Sequence, residues 1–409
     1  MQQDFLTLVV VGDNSERIRF HLEVTIVDNG QLTTFYTCIS EDGQVEIPIT
    51  CTATVGLKIV PLEGYWSTYF VSQPKAGSYQ IQYQAQRIQS KDAIWWHTLV
   101  KGRNTHLRGK GIKIGIIDIG FTQFQNITEF ELIKSTDAST FLQPASHGQR
   151  VAKILRGNYR GETIGLAPET EVIFFDASYD DDILSKIAKE TMPNYLSLTE
   201  IAKGIEYLSK NRKVDIINIS SGIYESFKEY HDTRVMLEEV IEEALDNGTV
   251  CICASGNDAQ AGMAYPASSE HSIGVASVGF SAVCPEGTLA QQEFLMSEQK
   301  CWINIPNSQN EIEIFQPRGT SFGLGVNICA PGIGIALPID DDIFVDYEGS
   351  SYATPIATGV LACELGRSEN IRKFNGREKS EYILQILKNT SINIELPSER
   401  VGIGLPVLI

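Results

Sequence analysis

Ile112-Lys113-Ile114-Gly115-Ile116-Ile117-Asp118-Ile119 is almost continuously apolar up to a single carboxylate. A strand with one wetted face alternates polar and apolar residues, so a run without alternation belongs to a strand buried on both faces, as in a parallel sheet. Similar runs recur at Glu171 to Phe175, Val214 to Ile219, Val250 to Ala254, Ser272 to Val278 and Val326 to Ala330. Helical patterns separate most of them, such as Leu198 to Lys210 and Arg234 to Asp246, the second closed by Asn247-Gly248, a pair suited to a helix C-terminus. Strands alternating with helices predict an α/β fold, a parallel sheet with helices on both faces. Ligands of such sheets sit at the carboxyl ends of the strands, so chemistry is sought in the residues just after each strand.

Ahead of this region the period is different. From Arg17 to Asp28 apolar residues alternate at Ile18, Phe20, Leu22, Val24 and Ile26, the signature of a strand with one buried face. Turns at Asp28-Asn29-Gly30, Ser40 to Gly43 and Ala76 to Ser78 punctuate further alternation at Val45, Ile47 and Ile49 and at Tyr79, Ile81, Tyr83 and Ala85. Residues 1–90 are therefore expected to form a small all-β, sandwich-like module. Its pattern, with Val55 to Trp66, resembles transthyretin-like sandwiches, a likeness that carries no function. Residues 91–110, polar and aromatic with Trp95 and Trp96 and ending in Arg108-Gly109-Lys110-Gly111, read as a linker. The α/β domain then occupies residues 111–409, a division that suits a chain longer than one core usually organises.

A formal charge of −18 repels phosphate backbones and anionic headgroups, and no basic run offsets it, so neither nucleic acid nor a membrane is an expected partner. No stretch approaches the roughly 20 apolar residues of a membrane helix. The chain opens without the pattern of a secretory signal, and its eight cysteines are scattered with no Cys-x-x-Cys pair. Free thiols in a reducing cytoplasm are the expectation. Asp180-Asp181-Asp182 and Asp340-Asp341-Asp342 carry enough charge for calcium, but neither has the ligand alternation of an EF-hand loop, and both read as solvated loops.

Four segments following buried strands or opening helices carry the candidate chemistry. Asp118 ends the first parallel strand, where a lone charge is costly and needs a partner, although strand-end aspartates also serve as caps and turn formers. In Ser146-His147-Gly148-Gln149-Arg150-Val151-Ala152 a histidine opens a helix whose positive end disfavours the imidazolium and keeps the ring available as a base; the plain alternative is a capping or surface histidine. Gly349-Ser350-Ser351-Tyr352-Ala353-Thr354-Pro355 puts Ser351 at a helix start, with Pro355 in its first turn, where a serine can attack a carbonyl beside backbone N–H donors or can simply act as an N-cap. Ala254-Ser255-Gly256-Asn257 follows a buried strand and offers an amide donor.

Taken together, Asp, His and Ser in this order resemble the subtilisin family of serine peptidases over about residues 111–409. His147 to Ala152 matches the family's His-Gly-x-x-Val-Ala, Gly349 to Pro355 its Gly-x-Ser-x-Ala-x-Pro, and Ala254 to Asn257 its Ala-x-Gly-Asn. The resemblance implies a subtilisin-like fold and a serine endopeptidase acting on protein or peptide substrates with no required cofactor. It implies an Asp118-His147-Ser351 triad, Asn257 as the side-chain oxyanion donor, and substrate binding by Ser220, Ser221, Gly222, Ala254, Ser255 and Gly256. It places Ala264-Tyr265-Pro266-Ala267 at the floor of the specificity pocket, whose small residues point to a medium apolar side chain before the scissile bond. The β-module would regulate access or recruit substrate, so a regulatory protein partner is expected there. Departures are Ile119 where Ser or Thr is usual, Gln149 for Thr, Ser350 for Thr and Tyr352 for Met, which bear on the hydrogen bonds around the aspartate and on the leaving-group side. The segment between Gly279 and Arg318 is longer than the family's link and has no assigned role. Gly319-Thr320-Ser321 mimics the nucleophile motif without its Ala-x-Pro, so Ser321 is read as structural. The rival is a catalytically silent binding protein that keeps the fold.

Overall fold

The structure is a computed structural model that describes every residue except 1–3, 74, 90–93, 102–105, 107, 120–129, 135–146, 178–197, 227, 305–310 and 341–342. The chain divides into two compact units, one of Met1–Ala93, Ser281–Met296 and Ala336–Tyr347, the other of Ile94–Phe280, Ser297–Ile335 and Glu348–Ile409.

The first unit is built on seven strands, β1 (Asp4–Val11), β2 (Phe20–Asp28), β3 (Gln31–Ser40), β4 (Gln44–Ile49), β5 (Ala53–Pro61), β6 (Thr68–Ser72) and β7 (Tyr79–Gln84). β1 lies between β4, antiparallel, and β7, parallel, while β3-β2-β5-β6 form an antiparallel sheet. The alternation at Ile18, Phe20, Leu22, Val24 and Ile26 puts all five into one buried cluster with Leu6 and Leu8 of the other sheet, so the two inner faces share a core. Two later segments of the chain join this unit, the helix Leu289–Met296 and the hairpin Ile335–Asp340 with Ile343–Tyr347. Asp346 Oδ1 accepts from Ser67 N at 2.9 Å and Ser67 Oγ at 2.7 Å, Thr68 Oγ1 donates to the Gly287 carbonyl at 2.7 Å, and Leu289 N donates to the Ser67 carbonyl. Where the sequence divides the chain linearly at 90 and 110, long-range hydrogen bonds gather the β unit from three stretches. Period and composition carry no mark of such pairing.

The second unit holds β8 (Lys113–Asp118), β9 (Phe130–Lys134), β10 (Glu171–Asp176), β11 (Ile216–Ile219), β12 (Val250–Ala254), β13 (Ile273–Phe280) and β16 (Val326–Pro331), all parallel, in the order β9-β10-β8-β11-β12-β13-β16. The hairpin β14 (Lys300–Asn304) and β15 (Glu311–Phe315) continues this sheet antiparallel to β13. The long segment after Gly279 is thus shared, its first part going to the β unit and its second widening the sheet. Successive residues of a strand face opposite sides. Ile117, Phe175, Ile217 and Cys253 face α2 (Leu198–Glu206) and α3 (Lys228–Asp246), while Phe174 meets Gly148 of α1 (His147–Arg156), which packs with α4 (Ser350–Arg367). Helices cover both faces, as the uninterrupted apolar strands require.

One detail differs from the sequence reading. α4 begins at Ser350, so Pro355 stands beyond the first turn rather than in it, where its missing N–H leaves the Ser351 carbonyl without a helical donor. All eight cysteines are unpaired, and burial pushes the thiols of Cys251, Cys284 and Cys363 up to about 12. Among the described residues no helix is long and apolar enough to cross a membrane, and no group of three or more His, Cys, Asp or Glu could hold a metal ion. Asp180 to Asp182 and the side chains of Asp340 to Asp342 lie outside the described residues.

Asp346→Ala should lower the unfolding free energy of the β unit by about 1–3 kcal/mol, because it strands two buried donors of Ser67. Chemical denaturation of wild type and variant, side by side, measures it.

Candidate active site

β8 starts the parallel sheet as an interior strand, with β10 and β9 on one side of it and β11, β12, β13 and β16 on the other. The ends of β8, β11 and β12 therefore lie side by side, with Asp118, Ser220 and Ala254 at the same rim of the sheet. A cleft of about 410 Å³ opens there, lined by Asp118, His147, Ser220, Ser221, Gly222, Ala254, Gly256, Asn257 and Ser351 of the residues singled out from the sequence. Ser255 is not among them. It is fully buried behind the wall, its N–H bonded to the Val275 carbonyl and its own carbonyl accepting from Ala264 N, because chain alternation turns it away from the residues on either side. Of the proposed floor only Ala264 reaches the cleft.

Asp118, 1% exposed, accepts at Oδ1 from Ile119 N at 2.7 Å and from His147 Nδ1 at 2.8 Å. Since a carboxylate only accepts, the proton on the ring sits at Nδ1 and Nε2 is left as the basic nitrogen. Asp118 Oδ2 has no hydrogen-bond partner among the described residues, and the unusual Ile119 explains why: no hydroxyl stands beside it. The helix that carries His147 comes very close to the strand. A Cβ on Gly148 would lie 2.4 Å from the Phe174 ring and 3.1 Å from Asp118 Cβ, so only glycine lets His147 reach the carboxylate.

Asn257 is held by the start of α4. Ser350 N donates to its Oδ1 at 2.8 Å, and because a backbone N–H can only donate, this contact fixes the amide orientation and turns Nδ2 away as a spare donor. Ser350 Oγ accepts from Gly256 N at 3.0 Å and donates to Asn257 Oδ1 at 3.2 Å, so the residue in place of the usual Thr ties both loops together. Ser351 Oγ donates to the Ser220 carbonyl at 2.8 Å and makes no hydrogen bond to His147 in this state. Beneath it, Asn218 donates to Ser220 Oγ and accepts from Thr358 Oγ1, a buried link between β11 and α4. The Tyr352 ring, where Met is usual, lies 5.9 Å from that of His147.

The subtilase family model matches residues 109–404. The chain belongs to the subtilase family. This subtilase is 25% identical over 261 residues to the minor extracellular protease Epr of Bacillus subtilis, a match covering 63% of this chain and 32% of that one. It is 24% identical over 298 residues to an intracellular serine protease of Paenibacillus polymyxa, covering 69% and 75%. Among solved structures, the protease domain of PatA matches with a TM-score of 0.51 at 20% identity over 74% of this chain and 94% of that one. MycP1 with its N-terminal propeptide removed matches at 0.53 and 16% identity, over 76% and 94%. At these identities the structures speak to the fold, and the chain spans about a third of the length of Epr.

Two residues that the sequence left unassigned or assigned only to structure belong to the site's support. Ser321 is fully buried and donates to the Asp258 carbonyl at 2.9 Å, and Tyr224 Oη accepts from Asn257 N at 2.8 Å and Asp258 N at 3.0 Å. An isolated tyrosine and a decoy serine give no periodic signal that would have pointed to them.

Gly148→Ala should cost about 1–3 kcal/mol as overpacking and push His147 away from Asp118. A denaturation curve reads the first effect, and a crystal structure showing the Asp118 to His147 bond lost reads the second.

Proposed function

We propose that this subtilase is a serine endopeptidase in which Ser351 is the nucleophile, His147 the general base and acid, Asp118 the group that orients and charges against His147, and Asn257 with the Ser351 N–H the oxyanion donors. The observation that carries the reading is the pair of fixed contacts at one rim, Asp118 Oδ1 to His147 Nδ1 and Ser350 N to Asn257 Oδ1, which leave a basic nitrogen and an amide donor free beside Ser351. Rotation of Ser351 Oγ from the Ser220 carbonyl towards His147 Nε2 begins the reaction, consistent with catalytic hydrogen bonds that tighten only with substrate. Oγ bonds to the scissile carbonyl carbon while its proton passes to His147, and the new oxyanion faces Asn257 Nδ2 and the Ser351 N–H. Collapse breaks the C–N bond, the leaving amine takes the proton from His147, and a water then hydrolyses the acyl-enzyme by the same route in reverse. Ser220 to Gly222 and Ala254 to Gly256 would flank an extended peptide as added strands.

The β unit is proposed to stay attached and to regulate access or recruit a protein partner. Its core bonds to Ser281–Met296 and Ala336–Tyr347 support this, since cutting off the N-terminal strands would strip the partners from Asp346 and Leu289. Eight unpaired thiols favour a cytoplasmic, reducing setting. No resident cofactor is needed for the steps above, and calcium is left as a stabilising ion to be tried. The second reading, a silent subtilase-fold binding protein, is favoured by one feature, the Ser351 hydroxyl resting on Ser220 rather than on His147.

Peptide hydrolysis by purified variants tests the assignment. Ser351→Ala should abolish it, whereas Ser321→Ala, which removes a support of the Asn257 loop and no reacting group, should lower it without abolishing it. Asn257→Ala should lower turnover by about 10²–10³-fold with little change in the Michaelis constant. Activity retained by Ser351→Ala, or no hydrolysis by wild type of any peptide in a broad mixture, goes against the proposal.

A further inference from the structure

Among the described residues Tyr224 is the one tyrosine lining the cleft, and no Phe or Trp lines it. Its backbone segment is pinned to the floor, Ile223 N donating to the Tyr265 carbonyl and Tyr265 N to the Ile223 carbonyl. The floor is pinned to the opposite wall, Ala264 N donating to the Ser255 carbonyl. The fourth side is closed by the tyrosine itself, whose hydroxyl reaches across to the backbone of Asn257 and Asp258. The Oη lone pairs take two amide protons, and the hydroxyl proton has Ser321 Oγ to go to at 3.4 Å, while Ser321 passes its own proton to the Asp258 carbonyl. Every proton in this chain has an acceptor, so the ring is held at both ends.

The fit against the far wall leaves no slack. A Cβ on Gly256 would lie 2.5 Å from Tyr224 Oη, 2.9 Å from Ser321 Oγ and 3.1 Å from a Tyr224 ring carbon, and the φ of +107° at Gly256 itself excludes an ordinary side chain. Asp258 also lines the cleft, and its Oδ1 accepts from Gln260 N and Ala261 N, capping its own turn. Gly222, Ala264, Gly256 and Tyr224 line the same cleft as Asp118, His147 and Ser351, and on the endopeptidase reading the space between them takes the side chain next to the carbonyl that Ser351 attacks.

We propose that Tyr224 is a specificity-determining and positioning residue: its ring closes the pocket so that the residue preceding the scissile bond must be small, such as Gly, Ala or Ser, and its hydroxyl holds the loop that aims Asn257. This rests on the endopeptidase reading, and it replaces the medium apolar preference drawn from the small residues of the floor with a preference for small side chains. The two roles separate by chemistry. Tyr224→Phe keeps the ring and removes the acceptor, so the two amides of the Asn257 loop lose their anchor. Tyr224→Ala removes both.

The test is a series of peptides differing only at the residue before the scissile bond, cut by full-length wild type, Tyr224→Phe and Tyr224→Ala, with fluorophosphonate labelling of each preparation. Wild type should favour Ala over Leu or Phe at that residue, and Tyr224→Ala should shift the ratio of kcat/KM towards Leu and Phe by about 10-fold or more, the scale on which a pocket discriminates by size. Tyr224→Phe should keep the wild-type ratio while lowering kcat on every peptide with KM unchanged, as loss of aim at the oxyanion requires. A wild type that cuts best after Phe, Leu, Lys or Arg, or a ratio unmoved in Tyr224→Ala while labelling persists, overturns this inference alone. A wild type that neither labels nor cuts any peptide removes the endopeptidase reading and this inference with it.

Discussion

Everything at the cleft depends on a carboxylate kept where carboxylates are expensive. Asp118 ends an apolar strand at 1% exposure, and its charge is sustained there by its own neighbour's N–H and by His147. Removing one partner of such a pair commonly costs about 3–5 kcal/mol, so the sheet, the glycine that admits α1 and the histidine form one unit of design. The order of the strands follows from the same requirement. β8 is an interior strand flanked by β10 and β11, and on the β11 side the successive ends of β11 and β12 lead into the segments that carry Ser220 and Asn257.

The second constraint is the start of α4. Its first residue, Ser350, uses backbone N–H and side chain to fix Asn257 and Gly256, and the next residue, Ser351, carries the hydroxyl. The loop bearing the amide donor is thus clamped from two directions, by Ser350 on the helix and by Tyr224 and Ser321 from below. Preorganisation of this kind matters because a donor is useful only if it is aimed before charge develops.

Much of this was legible in the sequence. Uninterrupted apolar runs at Ile112 to Ile119 and Val250 to Ala254 announce strands buried on both faces, and the period-2 run from Ile18 to Ile26 announces a half-buried one; each became the element it suggests. Asp118, His147, Asn257 and Ser351 stand out in the sequence because each lies at or just beyond the end of a regular element, and the structure gathers the four at one cleft. What the sequence concealed is of another kind. The capture of Ser281–Met296 and Ala336–Tyr347 by the β unit, and the bond from Tyr224 to the amides of Asn257 and Asp258, join residues with no shared period, and only tertiary packing brings them together. Ser255 is read from the sequence with Ala254 and Gly256, and while those neighbours line the cleft, alternation turns its side chain inward.

The central claim, that the Asp118-His147 pair serves Ser351 and no other serine, is tested most directly by labelling wild-type protein with a fluorophosphonate and mapping the adduct by tandem mass spectrometry. The account expects one adduct, on Ser351, abolished in His147→Ala although that substitution leaves the serine in place. An adduct on Ser321, or undiminished labelling of Ser351 without His147, would contradict it.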